Sequence, residues 1–507
     1  MSKAPIDYSV YLVTDSTPEI LGDRNLVEVV EAALQGGVTC VQYRDKTCDA
    51  ETARRTAAAL HVVTKKYGVP LLINDRVDVA VDVGCEGVHI GQDDMEYSQA
   101  RRLLGPDKII GVSASSIQEA VKACGAGADY LGLGTLFPTL TKKDTRNIIG
   151  TAGVKDILSA LAEAGHGDIP TVCIGGVGSA NAKSVLVECS VSPRKSLDGI
   201  AAVSAIVGSP DPAEAARDLF AKVVAGRIPD VIRAVHQTTP LSHNMTNTVV
   251  QNLSANIALA VGASPIMSTY GDEAMDIARH GGALVVNTGT ITPEALGNYV
   301  MALKAYNDAD LPVILDPVGA GATAVRREAV RQLLSVGKFT IIKGNESEIQ
   351  AIEGTSLRQR GVDSTASLSL TQRASLVRSL ARRTSAIVVL TGATDLLSDG
   401  SSTIRVDNGH PLLGRVSGTG CCLATVLSAM VAAFKVGSPL IAAVAGSVMY
   451  GVAAQRAARR DGVRGPGTFV PAFIDELHAL REETVRGDIE WLKGARVEVM
   501  NVRDESR

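Results

Sequence analysis

Hydrophobic residues in the first part of the chain fall into short runs at 8–15, 39–45, 69–75, 87–92, 109–115, 130–135, 170–176 and 198–204. Alanine-rich amphipathic stretches such as 25–35, 50–66 and 117–124 separate most of them. Strand and helix alternating eight times predict an α/β fold closed into a (β/α)8 barrel. An open doubly wound sheet is the other arrangement of the same units. An amphipathic stretch at 211–224 ends this half, and 225–230 then holds Gly226, Pro229 and charges, the signals of a helix end and a short linker. The expected domains are 1–228 and 229–507. Past the boundary the apolar helices lengthen, and strands are predicted at 283–287, 312–316, 340–343, 386–391 and 403–407, a second, layered α/β domain.

Composition narrows the class without naming it. The chain has 507 residues, 46% of them hydrophobic, 3% aromatic, with 49 glycines. Cores of Val, Ile, Leu and Ala with many glycine turns suit buried parallel strands. A net charge of −4 gives no field to draw nucleic acid or an anionic membrane. Eight cysteines without CxxC spacing suit a reducing, cytoplasmic setting. No apolar signal segment opens the chain. The apolar stretch from Cys421 is interrupted by Lys435 and Gly437-Ser438-Pro439, so neither piece is expected to reach the ~18 residues of a membrane span.

Polar residues cluster at the C-terminal ends of the eight runs, where such barrels carry their sites. Gln42, Arg44 and Lys46 alternate, so an extended strand end sends them to one side. A guanidinium fork beside an ammonium suits a pyrophosphate. Asp75 and Asp94 end successive runs, hard oxygen donors suited to Mg2+. Ser113 ends the fifth run, Thr139, Thr141 and Lys142 follow the sixth, Gly175-Gly176 the seventh, and Val203-Ser204 the eighth.

Those residues sit in QYRDK (42–46), INDRVDVA (73–80), GVHIGQDDM (87–95), GVSAS (111–115), YLGLGTLFPTLTKKDT (130–145) and IGGV (174–177). Through these motifs residues 8–225 resemble thiamine phosphate synthase, which joins hydroxymethylpyrimidine diphosphate to thiazole phosphate and releases pyrophosphate. The resemblance implies that Gln42, Arg44, Lys46, Asn74, Ser113 and Lys142 hold the pyrimidine diphosphate, with Tyr43 and Asp45 carried along in the same motif. It implies Mg2+ at Asp75 and Asp94, with Asp93 the lesser of its pair. Thr139, Leu140, Thr141, Gly176, Val203 and Ser204 are implied to hold the thiazole phosphate.

In the second half, Asp316 ends a strand before a glycine turn, and Lys343-Gly344-Asn345 and Thr391-Gly392 end two others. Ser417-Gly418-Thr419-Gly420-Cys421 opens a long apolar helix whose bare N–H groups suit an anion. Cys421 at that helix start is expected to have a lowered pKa and to take a proton from a substrate hydroxyl. No GxxxxGK[ST] loop occurs. The polar stretch 355–372 reads as a surface loop near the nucleotide.

PLSHNMTNTVVQNLSANIALAVGASPIM (240–267), VILDPVGAGAT (313–323), IIKGNESEI (341–349), DNGHPLLGRVSGTGC (407–421) and YGVAAQ (450–455) make residues 232–500 similar to hydroxyethylthiazole kinase, in the ribokinase-like group. The resemblance implies phosphorylation of the thiazole's hydroxyethyl group by ATP. Met267 and Gly418 would contact the thiazole, Lys343 and Thr391 the ATP, Asp316 and Glu348 would organise Mg2+, and Cys421 would accept the proton. It also implies a trimer, or a hexamer of two trimers, in which residues around 240–267 face a neighbour's Cys421 region. The kinase product is the synthase substrate, and the whole chain resembles the fungal bifunctional thiamine enzymes. The alternatives are a non-catalytic thiamine-pathway sensor that kept the pockets, and another phosphate-binding barrel enzyme, with an acid/base carboxylate poised without metal, fused to a small-alcohol kinase.

Overall fold

The computed structural model describes residues 6–139, 147–191, 195–354, 368–435 and 437–502. Leu140, Thr141 and Lys142 lie outside the described residues, as do 355–367 of the expected nucleotide loop. The chain divides into two compact units, Met1–Arg227 and Ile228–Arg507.

In the first unit eight strands close a barrel: β1 Val10–Val13, β2 Cys40–Tyr43, β3 Leu71–Asn74, β4 Gly87–Ile90, β5 Ile109–Ala114, β6 Tyr130–Leu133, β7 Thr171–Ile174 and β8 Gly199–Ala202. All pair in parallel, and β8 closes on β1 through Tyr11 opposite Ala201. The eight predicted runs are these strands. Outside them lie capped amphipathic helices. Leu26–Gln35 starts where Asn25 accepts from Val27 N, and it buries Leu26, Val29, Val30, Ala33 and Leu34, the 3–4 spacing of one helix face.

The expected linker is not one. Residues 225–230 belong to a helix, Pro212–Thr238, that carries Pro229 inside it. Proline in a helix interior costs about 3 kcal/mol by removing a hydrogen bond and crowding the carbonyl four residues back. Against that stand Leu219, Phe220, Val223, Val224, Ile228, Val231, Ile232 and Val235, all buried at the same 3–4 spacing. Each fully buried apolar side chain contributes about 1.5–3 kcal/mol. Packing outweighs the breaker.

The second unit is a nine-stranded sheet. Its strands are β9 Leu241–Met245, β10 Ser264–Ile266, β11 Ala283–Asn287, β12 Val313–Asp316, β13 Ile341–Asn345, β14 Ile387–Thr391, β15 Asp395–Ser398, β16 Thr403–Val406 and β17 Val497–Val499. Their order is β10-β9-β11-β12-β13-β14-β15-β16-β17. The strands from β10 to β14 pair in parallel, and β15 to β17 add antiparallel. Alternation along the strands positions the site. Leu284, Val286, Val313, Leu315 and Ile342 enter a core shared with Tyr299, Leu303, Leu333 and Leu380. Their neighbours Asn287, Asp316 and Lys343 therefore fall on the opposite face, toward the helix Thr419–Ala433.

Two further expectations are corrected. Leu370, Thr371 and Gln372 are not loop but the first turn of the helix Leu370–Thr384, which Ser369 and Gln372 cap reciprocally. The piece after Pro439 is longer than expected: Pro439–Ala457 is 19 residues and apolar enough to cross a membrane by length and composition. Of its 18-residue apolar window 89% is buried, where it packs against other helices and the sheet.

Candidate active sites

At the C-terminal rim of the barrel a cavity of about 490 Å³ is lined by Gln42, Arg44, Lys46, Asn74, Asp75, Asp94, Ser113, Thr139, Gly176, Val203 and Ser204. Strand ends bring together residues that are up to 162 positions apart in the chain. Tyr43 and Asp45, the intervening residues of the QYRDK motif, are not among the lining side chains. Tyr43 is buried with its hydroxyl 3.7 Å from Cys48 Sγ, and Asp45 accepts from Thr47 N at 2.9 Å and Cys48 N at 3.1 Å. The alternation that turns 42, 44 and 46 inward turns these two away. Asp93 too is outside the cavity, and it is exposed.

Each cation of the rim is held by a carboxylate. Arg44 Nη1 lies 3.3 Å from Asp15 Oδ2, and Lys46 Nζ lies 3.3 Å from Asp75 Oδ2 with its side chain 57% exposed. Asp75 takes a left-handed backbone, φ 61°, an uncommon conformation outside glycine. Its carboxyl is pushed up to about 6, by burial and then by the hydrogen bond and charge of Asp94. Burial also acts on Asp94, but the hydrogen bond with Asp75 and the Gly91 N–H outweigh it and hold that carboxyl below its ordinary value. Gly175 and Gly176 both have positive φ, and a Cβ on Gly175 would fall 2.4 Å from Thr135 Cγ2. The loop admits no side chain there.

The second unit gathers its polar groups where β11, β12 and β13 end beneath the helix Thr419–Ala433. Lys343 Nζ donates to Asp316 Oδ1 at 2.9 Å, and Asn287 Nδ2 donates to Asp316 Oδ2 at 2.6 Å. Asn247 Nδ2 reaches Asn287 Oδ1 at 3.0 Å and Cys421 Sγ at 3.4 Å. Asp316, Lys343, Asn247 and Asn287 are all buried. Gly418 holds φ 86° as the residue before the helix, and a Cβ there would meet Val250 Cγ1 at 2.0 Å. Thr391 ends β14 and donates to Gly344 O at 3.3 Å. Met267 follows β10, half-buried.

One expectation changes. Cys421 is not a low-pKa thiol: burial first, then the charge of Asp316, pushes it up to about 11, against the opposing pull of Lys343. Lys343 meets no open solvent. Burial opposes its charge, but Asp316, Cys421 and Glu348 hold its ammonium above the ordinary value. Glu348 is a capping residue, with Oε1 accepting from Gly319 N at 2.9 Å and Oε2 from Asn345 N at 2.8 Å. Within the chain, Asn247 and Val250 of the 240–267 stretch also meet the Cys421 region.

Asn247, Asn287, His89, Tyr11 and Asp15 were missed. Asn287 carried the same signal as Asp316, a polar residue ending an apolar strand. His89 and Tyr11 lie inside barrel strands, where sequence pattern marks core and nothing more.

Comparisons with known proteins find two families in the chain. The thiamine monophosphate synthase family matches residues 10–206, and the hydroxyethylthiazole kinase family matches residues 232–483. A probable thiamine biosynthetic bifunctional enzyme of Schizosaccharomyces pombe is 40% identical over 521 aligned positions, covering 98% of this chain and 99% of that protein. The thiamine biosynthetic bifunctional enzyme of Saccharomyces cerevisiae is 37% identical, covering 95% of this chain and 97% of its own. The chain belongs to the fungal bifunctional thiamine-phosphate synthase and hydroxyethylthiazole kinase family.

Proposed function

We propose that each unit performs one of two consecutive reactions: the second, from about residue 229, phosphorylates hydroxyethylthiazole with ATP, and the first, up to about 228, condenses the product with hydroxymethylpyrimidine diphosphate. The observation that carries this is the barrel cavity, whose rim collects eleven of the residues read from the sequence as substrate or cation contacts.

In the condensation, Arg44 and Lys46 meet the departing pyrophosphate, with Arg44 aimed by Asp15. Gln42, Asn74 and Ser113 hold the pyrimidine, and Thr139, Gly176, Val203 and Ser204 hold the thiazole phosphate. Asp75 and Asp94 fit a divalent cation: hard oxygen donors, close enough to share a hydrogen bond, beside Lys46. Mg2+ bound there supplies positive charge against the leaving diphosphate. No side chain has to act as nucleophile, because the thiazole nitrogen attacks the pyrimidine methylene.

In the kinase unit the N–H groups opening the helix Thr419–Ala433 face the phosphoryl group in flight. Lys343 and Thr391 border the ATP, Met267 and Gly418 the thiazole. With its thiol protonated at neutral pH, Cys421 orients the substrate hydroxyl by hydrogen bonding, and only its thiolate form accepts the hydroxyl proton as the phosphoryl bond forms. Both oxygens of Asp316 and of Glu348 already accept hydrogen bonds. A carboxylate oxygen keeps a second lone pair, so these hydrogen bonds leave Asp316 and Glu348 able to organise the Mg2+ of ATP.

The eight free cysteines suit a reducing cytoplasm. The resemblance to the trimeric thiazole kinases suits a trimer or hexamer, which would cover exposed residues such as Val249, Leu259 and Tyr270. Sedimentation at monomer mass would refute that assembly. The activity itself is tested with purified chain, hydroxyethylthiazole, ATP, Mg2+ and the pyrimidine diphosphate. Thiamine phosphate should accumulate only with all four additions.

A further inference from the structure

The floor of the barrel cavity holds a hydrogen-bond chain that the roles above leave unused. Gln42 Nε2 donates to Tyr11 OH at 2.7 Å. The hydroxyls of Tyr11 and Tyr130 are 2.7 Å apart, and that of Tyr130 lies 2.7 Å from His89 Nδ1. His89 Nε2 is 2.9 Å from Ser113 Oγ. Gln42 and Ser113, the two ends, line the cavity, while Tyr130 in the middle is fully buried and does not. The fold makes room for it: a Cβ on Gly111 would fall 2.0 Å from the Tyr130 ring.

Each phenol carries one proton, so two phenols in series transmit direction. With the Gln42 amide nitrogen as first donor, Tyr11 donates to Tyr130 and Tyr130 to His89 Nδ1. His89 then keeps its proton on Nε2 and donates to Ser113. What remains for the cavity is an acceptor at one end, Gln42 Oε1, and a donor at the other, the Ser113 hydroxyl. Turning the amide over reverses every bond in the chain, so the two ends change polarity together.

We propose that this relay sets the synthase site's specificity for an aminopyrimidine, with Tyr11, Tyr130 and His89 as positioning residues. An exocyclic N–H meets Gln42 Oε1 and a ring-nitrogen lone pair meets the Ser113 hydroxyl. The proposal rests on the reading of Gln42 and Ser113 as the pyrimidine's contacts. An oxo-pyrimidine in its lactam form presents the inverse pattern, C=O and ring N–H. It is accommodated only if all five side chains reverse, the His89 tautomer included, or if buried polar groups go unpaired.

The test is a competition with the full chain, thiazole phosphate and Mg2+, supplying the diphosphates of the 4-amino and 4-oxo pyrimidines together. Their consumption gives a ratio of kcat/KM values that does not depend on the fraction of folded enzyme. Tyr130→Phe removes one hydroxyl that touches no ligand, and the preference for the amino substrate should fall by about tenfold or more. An unchanged ratio overturns the relay. Gln42→Ala should depress turnover of both substrates; undiminished condensation there overturns the underlying reading instead. Should Tyr130→Phe not fold, 15N NMR of histidine-labelled wild-type chain decides. With aminopyrimidine diphosphate bound, His89 should be neutral with its proton on Nε2, and an Nδ1–H tautomer or an imidazolium overturns the proposal.

Discussion

The two sites handle charge in opposite ways. On the barrel rim, Lys46 stands half in solvent and Asp75 and Asp94 press against each other, so binding energy is available for a diphosphate and a cation. In the kinase unit, Asp316 is fully buried and already paired with Lys343 and Asn287 before any substrate arrives. An open strand-end rim suits a reaction whose chief need is to stabilise a leaving anion. A closed, pre-paired cluster suits a reaction whose chief need is orientation in a dry place.

The contrast can be broken first by removing one cation from each site. Lys343→Met leaves Asp316 buried without a counter-charge and should lower the stability of the kinase unit by about 3–5 kcal/mol, measured by denaturant unfolding. Lys46→Met should change stability by less than about 1 kcal/mol, because the Lys46 side chain is 57% exposed. Equal losses would mean that the two sites are not differently built.

Next in size are the losses of chemistry. Arg44→Ala or Asp75→Ala should slow condensation on the order of 10²–10³-fold while thiazole phosphorylation continues unchanged. The reverse experiment is Cys421→Ala. Phosphorylation should fall about 10²-fold, while condensation supplied with thiazole phosphate stays normal. A matching drop in both assays would contradict separate sites.

The smallest effect is a pH dependence confined to the barrel. The Asp75 carboxyl moves from an ordinary 3.8 to about 6 on folding. A carboxyl raised in this way adds stability below its unfolded pKa and loses it as pH rises through about 6. A bound cation displaces that proton, so Mg2+ should raise the thermal midpoint most at about pH 8 and progressively less as pH falls through about 6. An equal Mg2+ shift at about pH 5 and about pH 8 would exclude Asp75 as a ligand.

Much of the architecture could be read in advance because burial writes a period into the chain. All eight barrel strands were visible as apolar runs between amphipathic helices. In the second unit the strands that were missed are instructive. In β9, Ser242, His243 and Asn244 are polar yet fully buried. Ser242 pairs with Ser428 at 2.6 Å, Thr425 donates to Asn244 at 2.7 Å, and His243 lies between Tyr306 and Ser268 O. Their partners are up to 186 positions away, so no local pattern marks this strand as core. The 225–230 segment failed for the converse reason. Local breakers were plain to see, and the apolar face that overrides them counts only when something packs against it.

Residue types and spacing by themselves determined the two α/β units, the alternation that sends Gln42, Arg44 and Lys46 to one side, and the helix start at Gly418. Those are consequences of backbone geometry and of periods of 2 and 3.6, which act between neighbours in the chain. Only the tertiary structure decided the electrostatics: that Cys421 is a high-pKa thiol, that Lys343 is committed to Asp316, and that Asp75 and Asp94 share a hydrogen bond. Proton affinity depends on burial and on charges a few ångströms away, and the fold supplies those from distant parts of the chain.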